Sequence, residues 1–357
     1  MSGETPPIEV LDLAEQEDEE SSFTPHFSIA SYGADYPVDS LINRMRNNTI
    51  FVPPFQRAFV WKKPQASRFV ESLLLGLPVP GIFLAKEQGE TQRMLVVDGQ
   101  QRLTTLRRFY DNDFDGRPFK LVGVGEHYEG KGYSDLSAED RRRMDDTTIH
   151  ATVVRQERPE ADDSSIFMIF ERLNTGGVTL TAQEIRSTVS RGAFNNLLGE
   201  LNLVPAWRRV FGGVSARRKD QELILRFAML YFDLGSYRRP MREALNSFMY
   251  RNRELSLISG ESIRTAFVRT IAAVDATLGA TAFRPSRVLN AAVFDAVMVG
   301  LARRLSDQEE YDPSRLERRY NELLNDSAFQ EAYYSFTSAE ERVERRIALA
   351  SDYFTSV

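Results

Sequence analysis

Apolar residues along the chain follow two different spacings, and the change between them falls near residue 160. Before that point, short apolar runs predict strands at residues 82–85, 93–97, 119–122 and 149–155. A helix is predicted before the first of them at residues 64–76, where apolar residues recur three and four apart. Beyond residue 160 the helical spacing continues with short polar breaks. The pattern predicts an α+β protein, with a small mixed sheet in the N-terminal half and an all-helical C-terminal region.

The first 27 residues differ in composition from the rest of the chain. They contain eight acidic residues and no Lys or Arg, together with prolines and a few aliphatic residues. Such a segment cannot bury enough apolar surface to fold alone, so we expect a disordered acidic tail at 1–27. The body that follows has 45 basic and 43 acidic residues, a net charge near +2.

Composition excludes several classes of site. The chain has no cysteine, which rules out disulfides, thiolate metal sites and thiol nucleophiles. It shows no signal-peptide pattern and no apolar run of the roughly 18–20 residues that a membrane span needs. We therefore expect a soluble, cytoplasmic protein that does not contact a membrane.

The segment DGQQR, at residues 98–102, stands between a predicted strand and a predicted helix. Gly99 would let a ligand approach the backbone, and the first helical amides carry a partial positive charge that suits an anion. Arg102 can bind two phosphate oxygens, and Gln100 and Gln101 can donate to phosphate or to a nucleoside. Asp98 would hold magnesium or orient a water. The structural alternative is that Asp98 caps the helix and pairs with Arg102.

Two further polar clusters could line the same pocket. In PPFQRAFVW, residues 53–61, Gln56 and Arg57 lie among aromatic residues that include Trp61, a mixture suited to stacking a base while an arginine holds phosphate. In FERLNTGGVTLTAQEIR, residues 170–186, Asn174 and Thr175 follow a predicted helix. The structural alternative is that the aromatic residues belong to the core and that the second segment is an ordinary helix connection.

Together the three segments resemble one family, the domain of unknown function 262 or DGQQR family, which is related to the ParB and sulfiredoxin folds. It includes the GmrS half of GmrSD restriction systems and the N-terminal parts of SspE and BrxU. The signatures occur in order as FQRAFVW, DGQQRLTTL and FERLNTGGVTLTAQEIR, and the resemblance runs from about residue 36 to at least residue 253. It implies a ParB-like nucleotide-binding domain at residues 28–158, followed by a helical domain at 159–357.

Many members of that family join or pair with an HNH nuclease, which needs a histidine base and a metal. This chain has three histidines, at positions 26, 127 and 150, and none lies in such a constellation. We therefore expect no HNH domain in these residues, and a separate HNH nuclease chain as a partner.

The resemblance implies a subunit that binds and hydrolyses nucleoside triphosphates with Mg²⁺ in a DNA-modification-dependent restriction system of antiphage defence. Asp98, Gln101 and Arg102 would be catalytic, with Asp98 also the metal ligand. Expected partners are modified or phage DNA and further copies of this chain. The candidate nucleotide-binding residues are Gln56, Arg57, Trp61, Gly99, Gln100, Thr104, Asn174 and Thr175.

Two other functions stay open on the sequence. One is a DNA-binding sensor without turnover, whose basic clusters would be residues 141–143, 208–209, 217–219 and 238–242. A body charge near +2 argues against strong sequence-independent DNA binding. The other is a stand-alone nickase or endonuclease that uses the DGQQR carboxylate and a metal.

Overall fold

The computed structural model describes residues 10–12, 28–52, 59–87, 93–158, 169, 181–190, 192–307 and 310–357. The chain divides into two compact units. The sheet unit consists of residues 26–179, and the helical unit consists of residues 1–25 and 180–357. Each unit encloses its own apolar core.

The sheet unit is built on a mixed five-stranded sheet. Its strands are β1 Ser28–Pro37, β2 Ile50–Phe51, β3 Ile82–Lys86, β4 Met94–Asp98 and β5 Thr148–Arg158. They lie in the order β1-β5-β3-β4-β2. The pairs β1–β5 and β3–β4 are antiparallel, whereas the pairs β5–β3 and β4–β2 are parallel. Because β3 and β4 are antiparallel neighbours, the carboxyl end of β4 lies beside the amino end of β3, with Asp98 opposite Phe83.

Helices of the sheet unit bury their apolar faces against the sheet. Leu84 and Val96 contribute to the core from the strands, and Val70, Leu103 and Leu106 contribute from the helices; all five are fully buried. These helices are α1 Val38–Arg46, α2 Lys63–Leu74, α3 Gln100–Tyr110 and α4 Ala138–Asp146. Ser137 caps α4, since its Oγ accepts a hydrogen bond from the Asp140 amide.

The helical unit packs its helices around an aromatic core. Trp207 is fully buried and contacts Phe211, Phe267 and Phe294. The helices are α5 Ala182–Val189, α6 Ala193–Leu201, α7 Pro205–Phe211, α8 Lys219–Phe232, α9 Met241–Arg251, α10 Gly260–Thr277, α11 Ala291–Asp307, α12 Pro313–Asn325, α13 Ser327–Tyr334 and α14 Glu340–Phe354. Among the described residues, no helix is long and apolar enough to cross a membrane.

The predicted α+β class, with a mixed sheet and a helical C-terminal region, is confirmed. Three of the four predicted strands are present as β3, β4 and β5, and the predicted helix at 64–76 is α2.

The strand predicted at residues 119–122 is wrong. Phe119 and Leu121 are fully buried, which explains their apolar pattern, but the segment is a loop. The Leu121 amide donates to the carbonyl of Lys131, and the Val122 amide donates to the Ser67 hydroxyl. Its hydrogen bonds therefore go to a neighbouring loop and to a side chain, and the segment is outside the sheet.

The prediction of disorder throughout the tail is wrong at residues 10–12. Val10–Leu11 forms a short parallel pairing with Leu289–Asn290 in the helical unit, and Asp12 is buried.

Strand β1 was not predicted from the apolar pattern. It is an edge strand whose residues are mostly exposed, so its sequence does not alternate between apolar and polar residues.

Helices α11 and α14 approach closely at Gly300, and this contact should tolerate no side chain. A Cβ at Gly300 would lie 2.9 Å from the carbonyl carbon and Cβ of Ala350. We expect Gly300→Ala to lower the free energy of unfolding by roughly 1–3 kcal/mol. Urea denaturation followed by circular dichroism would measure it.

Gly199 in α6 is the matched control, because a Cβ there would meet nothing within 4 Å. Gly199→Ala should raise stability by roughly 0.5–1 kcal/mol, since alanine favours the helix. Equal effects of the two substitutions would contradict the close packing.

Candidate functional site

The DGQQR segment lies where β4 ends and α3 begins. Asp98 closes the strand, Gly99 is the N-cap, and Gln100 starts the helix. Gly99 has φ +97°, in the left-handed region that favours glycine. A Cβ at this position would also lie 2.4 Å from Cγ2 of Ile82. Glycine is therefore required by backbone conformation and by packing on β3, in addition to any ligand it admits.

Arg102 is bound into the fold by three acceptors. Its Nη1 donates to the carbonyl oxygens of Pro80 at 2.7 Å and Gly81 at 2.6 Å, and its Nη2 donates to Oδ2 of Asp98 at 2.8 Å. Its side chain is only 12% exposed. Hydrogen bonds from a charged donor contribute more to stability than neutral ones do. These three hydrogen bonds therefore hold the end of β4 to the turn before β3.

Asp98 itself faces solvent, with 53% of its side chain exposed. No side chain in the described part of the chain caps α3, so the expectation that Asp98 caps the helix is wrong. The other half of the structural alternative, pairing of Asp98 with Arg102 four residues along, is what the structure shows. The carboxylate is thus fixed in orientation by Arg102 while most of it stays accessible.

Gln101 connects α3 to the end of the FQRAFVW signature. Its Oε1 accepts hydrogen bonds from the backbone amides of Val60 at 3.0 Å and Trp61 at 3.3 Å. Residues 60–61 therefore lie at the first turn of α3. This contact was not foreseen from the sequence, which assigned the Gln101 side chain to a nucleotide or a water.

The aromatic residues of that segment take part in packing. The Trp61 ring is half-buried and meets Phe69 edge-on, with centroids 5.6 Å apart. Phe59 lies under the guanidinium of Arg108 at 4.2 Å and meets Phe114 edge-on. The structural alternative for these two rings is therefore supported. A stacking role for Trp61 stays a prediction.

Other predicted site residues are only partly placed. Gln100 and Thr104 lie in the first two turns of α3 and are half-buried. Gln56, Arg57, Asn174 and Thr175 lie outside the described residues, so their place in the pocket stays a prediction. The sequence missed Pro80 and Gly81, whose carbonyls bind Arg102; the only signal was the proline-marked turn LPVPG before β3.

The DGQQR junction offers a magnesium ion one carboxylate, that of Asp98. Within the described ranges, no three His, Asp or Glu side chains are grouped so that they could hold a metal ion. Mg²⁺ that arrives with a nucleotide usually needs only one or two protein carboxylates besides the phosphates, and Asp98 fits that requirement. The donor set therefore suits a nucleotide-borne ion and does not suit a resident one.

Of the eleven basic residues proposed for DNA contact, six are paired with acids in the described part of the chain. Arg208 lies 2.9 Å from Asp220, and Arg209 lies 2.5 Å from Asp275. The remaining pairs of this kind are Arg217 with Glu184, Lys219 with Glu222, Arg143 with Glu139 and Arg242 with Glu243. Such pairing favours a structural role for these clusters over phosphate contact.

A comparison with known families identifies the segment that carries this junction. Residues 38–189, less than half of the chain, match the family model of the GmrSD restriction endonuclease N-terminal domain. The matched segment includes α1 to α5 and the DGQQR junction. No curated protein matches the chain significantly. The predicted family resemblance is confirmed over residues 38–189.

Substitution of Gly99, compared with a control, should separate the cost of its left-handed backbone from the cost of its contact with Ile82. Gly99→Ala combines left-handed strain of about 1–2 kcal/mol with the contact to Ile82. Gly76→Ala is the matched control, because Gly76 has φ +70° with nothing within 4 Å of a Cβ. We expect Gly99→Ala to lose roughly 1–3 kcal/mol more than Gly76→Ala in urea denaturation. Equal losses would show that Ile82 yields without cost.

Arg102 should be required for stability as well as for any ligand. In Arg102→Lys a compact ammonium cannot make the same three hydrogen bonds, so unfolding should become easier by about 2 kcal/mol. Arg107→Lys is the control, since Arg107 is exposed and pairs with Asp111 at 3.5 Å. An unchanged melting temperature in Arg102→Lys would contradict the structural role and would leave Arg102 as a ligand contact alone.

Proposed function

We propose that this chain, whose residues 38–189 form a domain of the GmrSD restriction endonuclease N-terminal family, is the nucleoside-triphosphate-binding and hydrolysing subunit of a DNA-modification-dependent restriction system. The observation that carries the enzymatic part is the accessible Asp98 carboxylate, held by Arg102 at the amino end of α3. The family match supports the restriction context.

Phosphate would bind at the amino end of α3. The amides of the first helical turn of α3 carry partial positive charge. The left-handed Gly99 turns the chain sharply between strand and helix and lies against Ile82 of β3. The partial positive charge of this helix end would attract an anionic group next to Asp98.

Asp98 would act on the attacking water. A carboxylate fixed in one orientation can accept a hydrogen bond from a water and direct its oxygen at the terminal phosphorus. A magnesium ion bound to the nucleotide would supply neutralisation of the phosphate charge, with Asp98 as its protein ligand. Both roles require the ionised, solvent-facing oxygen that the Arg102 contact leaves available.

Arg102 takes a different role from the one expected. Because its guanidinium already donates to two carbonyls and to Asp98, it acts as a positioning residue. Arg57 and Gln56 stay the predicted phosphate contacts. Gln101 holds residues 60–61, the last two of the FQRAFVW signature, at the same helix end.

DNA would be the target of the assembled system, and a separate chain would cleave it. The three histidines of the sequence form no HNH motif, which supports a partner chain as the nuclease. The pairing of Arg208 with Asp220 and of Arg209 with Asp275 argues against a DNA-binding sensor at these two residues.

Removal of the Asp98 charge should abolish turnover with little effect on folding. Asp98→Asn preserves size, and the loss of water orientation should lower phosphate release from GTP, ATP or CTP by about 100-fold or more. Nucleotide affinity, measured by titration calorimetry in Mg²⁺, should change less. Phosphate release by the pure protein is the measurement.

Asp115→Asn serves as the matched control, because Asp115 is also exposed and paired with an arginine, Arg108 at 2.7 Å. Its turnover should equal that of the wild type. Undiminished phosphate release by Asp98→Asn would refute the assignment. Nucleotide-independent plasmid nicking that EDTA and Asp98→Asn both abolish would favour the stand-alone nuclease.

A further inference from the structure

Part of the acidic tail is docked in the helical unit. Val10–Leu11 pairs in parallel with Leu289–Asn290, directly before α11. The next residue, Asp12, is 6% exposed. A two-residue pairing contributes few main-chain hydrogen bonds, so the side chain of Asp12 must supply much of what holds the segment.

Asp12 enters a buried cluster of charges contributed by three helices. Arg226 of α8 makes a bidentate pair with Asp295 of α11, with Nε–Oδ1 at 3.1 Å and Nη2–Oδ2 at 2.6 Å. Its remaining Nη1 donates to Oδ2 of Asp12 at 2.8 Å. Arg346 of α14 also donates to Asp295 at 3.0 Å. All four side chains are buried.

Without the tail, the helices bring two guanidinium groups to one carboxylate at this point. Arg346 donates its Nη1 to the carbonyl of Thr337, while its buried Nε has no acceptor in the described part of the chain. An uncompensated buried charge is strongly destabilising. Asp12 supplies the second carboxylate and balances the cluster.

The pKa values of the two buried arginines reflect the charges around them. Burial lowers the pKa of Arg226, but the carboxylates of Asp12 and Asp295 more than offset it and raise that pKa well above its ordinary value. For Arg346, burial and the nearby Arg226 outweigh the attraction of Asp295 and lower the pKa. The cluster therefore depends on both carboxylates, and the tail supplies one of them, Asp12.

We propose that the Leu289–Asn290 strand and the Arg226 cluster form a binding site for an extended acidic peptide, and that its ligand is the segment at residues 10–12 of this same chain. The strand aligns the peptide backbone, and Arg226 recognises one aspartate that follows two aliphatic residues. The sequence V-L-D at this point of the tail provides that pattern. The site belongs to the helical unit and is independent of nucleotide turnover.

The test is a loss and rescue in the full-length chain. Asp12→Ala removes the carboxylate that accepts a hydrogen bond from Nη1 of Arg226, so the melting temperature should fall by roughly 5–10 °C. A large excess of a synthetic peptide with the sequence of residues 5–17 should restore much of it by mass action. The same peptide with Asp12→Asn should restore none, and the native peptide should leave the wild-type chain unchanged because its site is filled.

Glu15→Ala is the matched control, since it removes one acid from the same tail, and its melting temperature should equal that of the wild type. If Asp12→Ala does not fold, Asp12→Asn replaces it, with anisotropy of a labelled peptide as the second measurement; the variant should bind the peptide at least tenfold more tightly than the wild type. An unchanged melting temperature in Asp12→Ala, or equal binding of the native peptide and the peptide that carries Asp12→Asn, would overturn the proposal.

Discussion

The guanidinium of Arg102 is the contact on which the DGQQR junction depends. It joins α3 to two other places in the sheet unit: the end of β4 through Asp98, and the turn before β3 through the carbonyls of Pro80 and Gly81. Gly99 lies between them against Ile82, with no room for a side chain. The exposed position of Asp98 follows from this arrangement, because Arg102 occupies one oxygen of the carboxylate and the strand end leaves the rest open to solvent.

The local part of this arrangement could be predicted from the sequence. A buried apolar run, a glycine and an amphipathic run predicted strand, turn and helix, and β4, Gly99 and α3 are what the structure has. The acceptors of Arg102 could not be predicted, because they are backbone carbonyls about twenty residues earlier and carry no side-chain signal. The same limit explains the segment at 119–122, where burial in a loop produces the apolar pattern of a strand.

The two units use arginine in physically different ways. At the DGQQR junction the Arg102 side chain is only 12% exposed, but its partner Asp98 is accessible. The carboxylate of this pair can therefore contact solvent or a ligand. In the helical unit Arg226, Asp295 and Arg346 are buried, and the balance of charge has to come from protein. The acidic composition of the tail suggested only solvation, since composition reports the sum of charges and does not identify the single carboxylate that has a buried partner.

This difference bears on which polar residues can carry chemistry. A guanidinium that already donates to two carbonyls and a carboxylate has used three of its five N–H donors within the protein. Asp98 has the opposite property, because it receives one hydrogen bond and keeps an exposed face. A fixed but accessible carboxylate beside a helix N-terminus is suited to orienting water, whereas the arginine of the same motif is suited to holding that carboxylate in place.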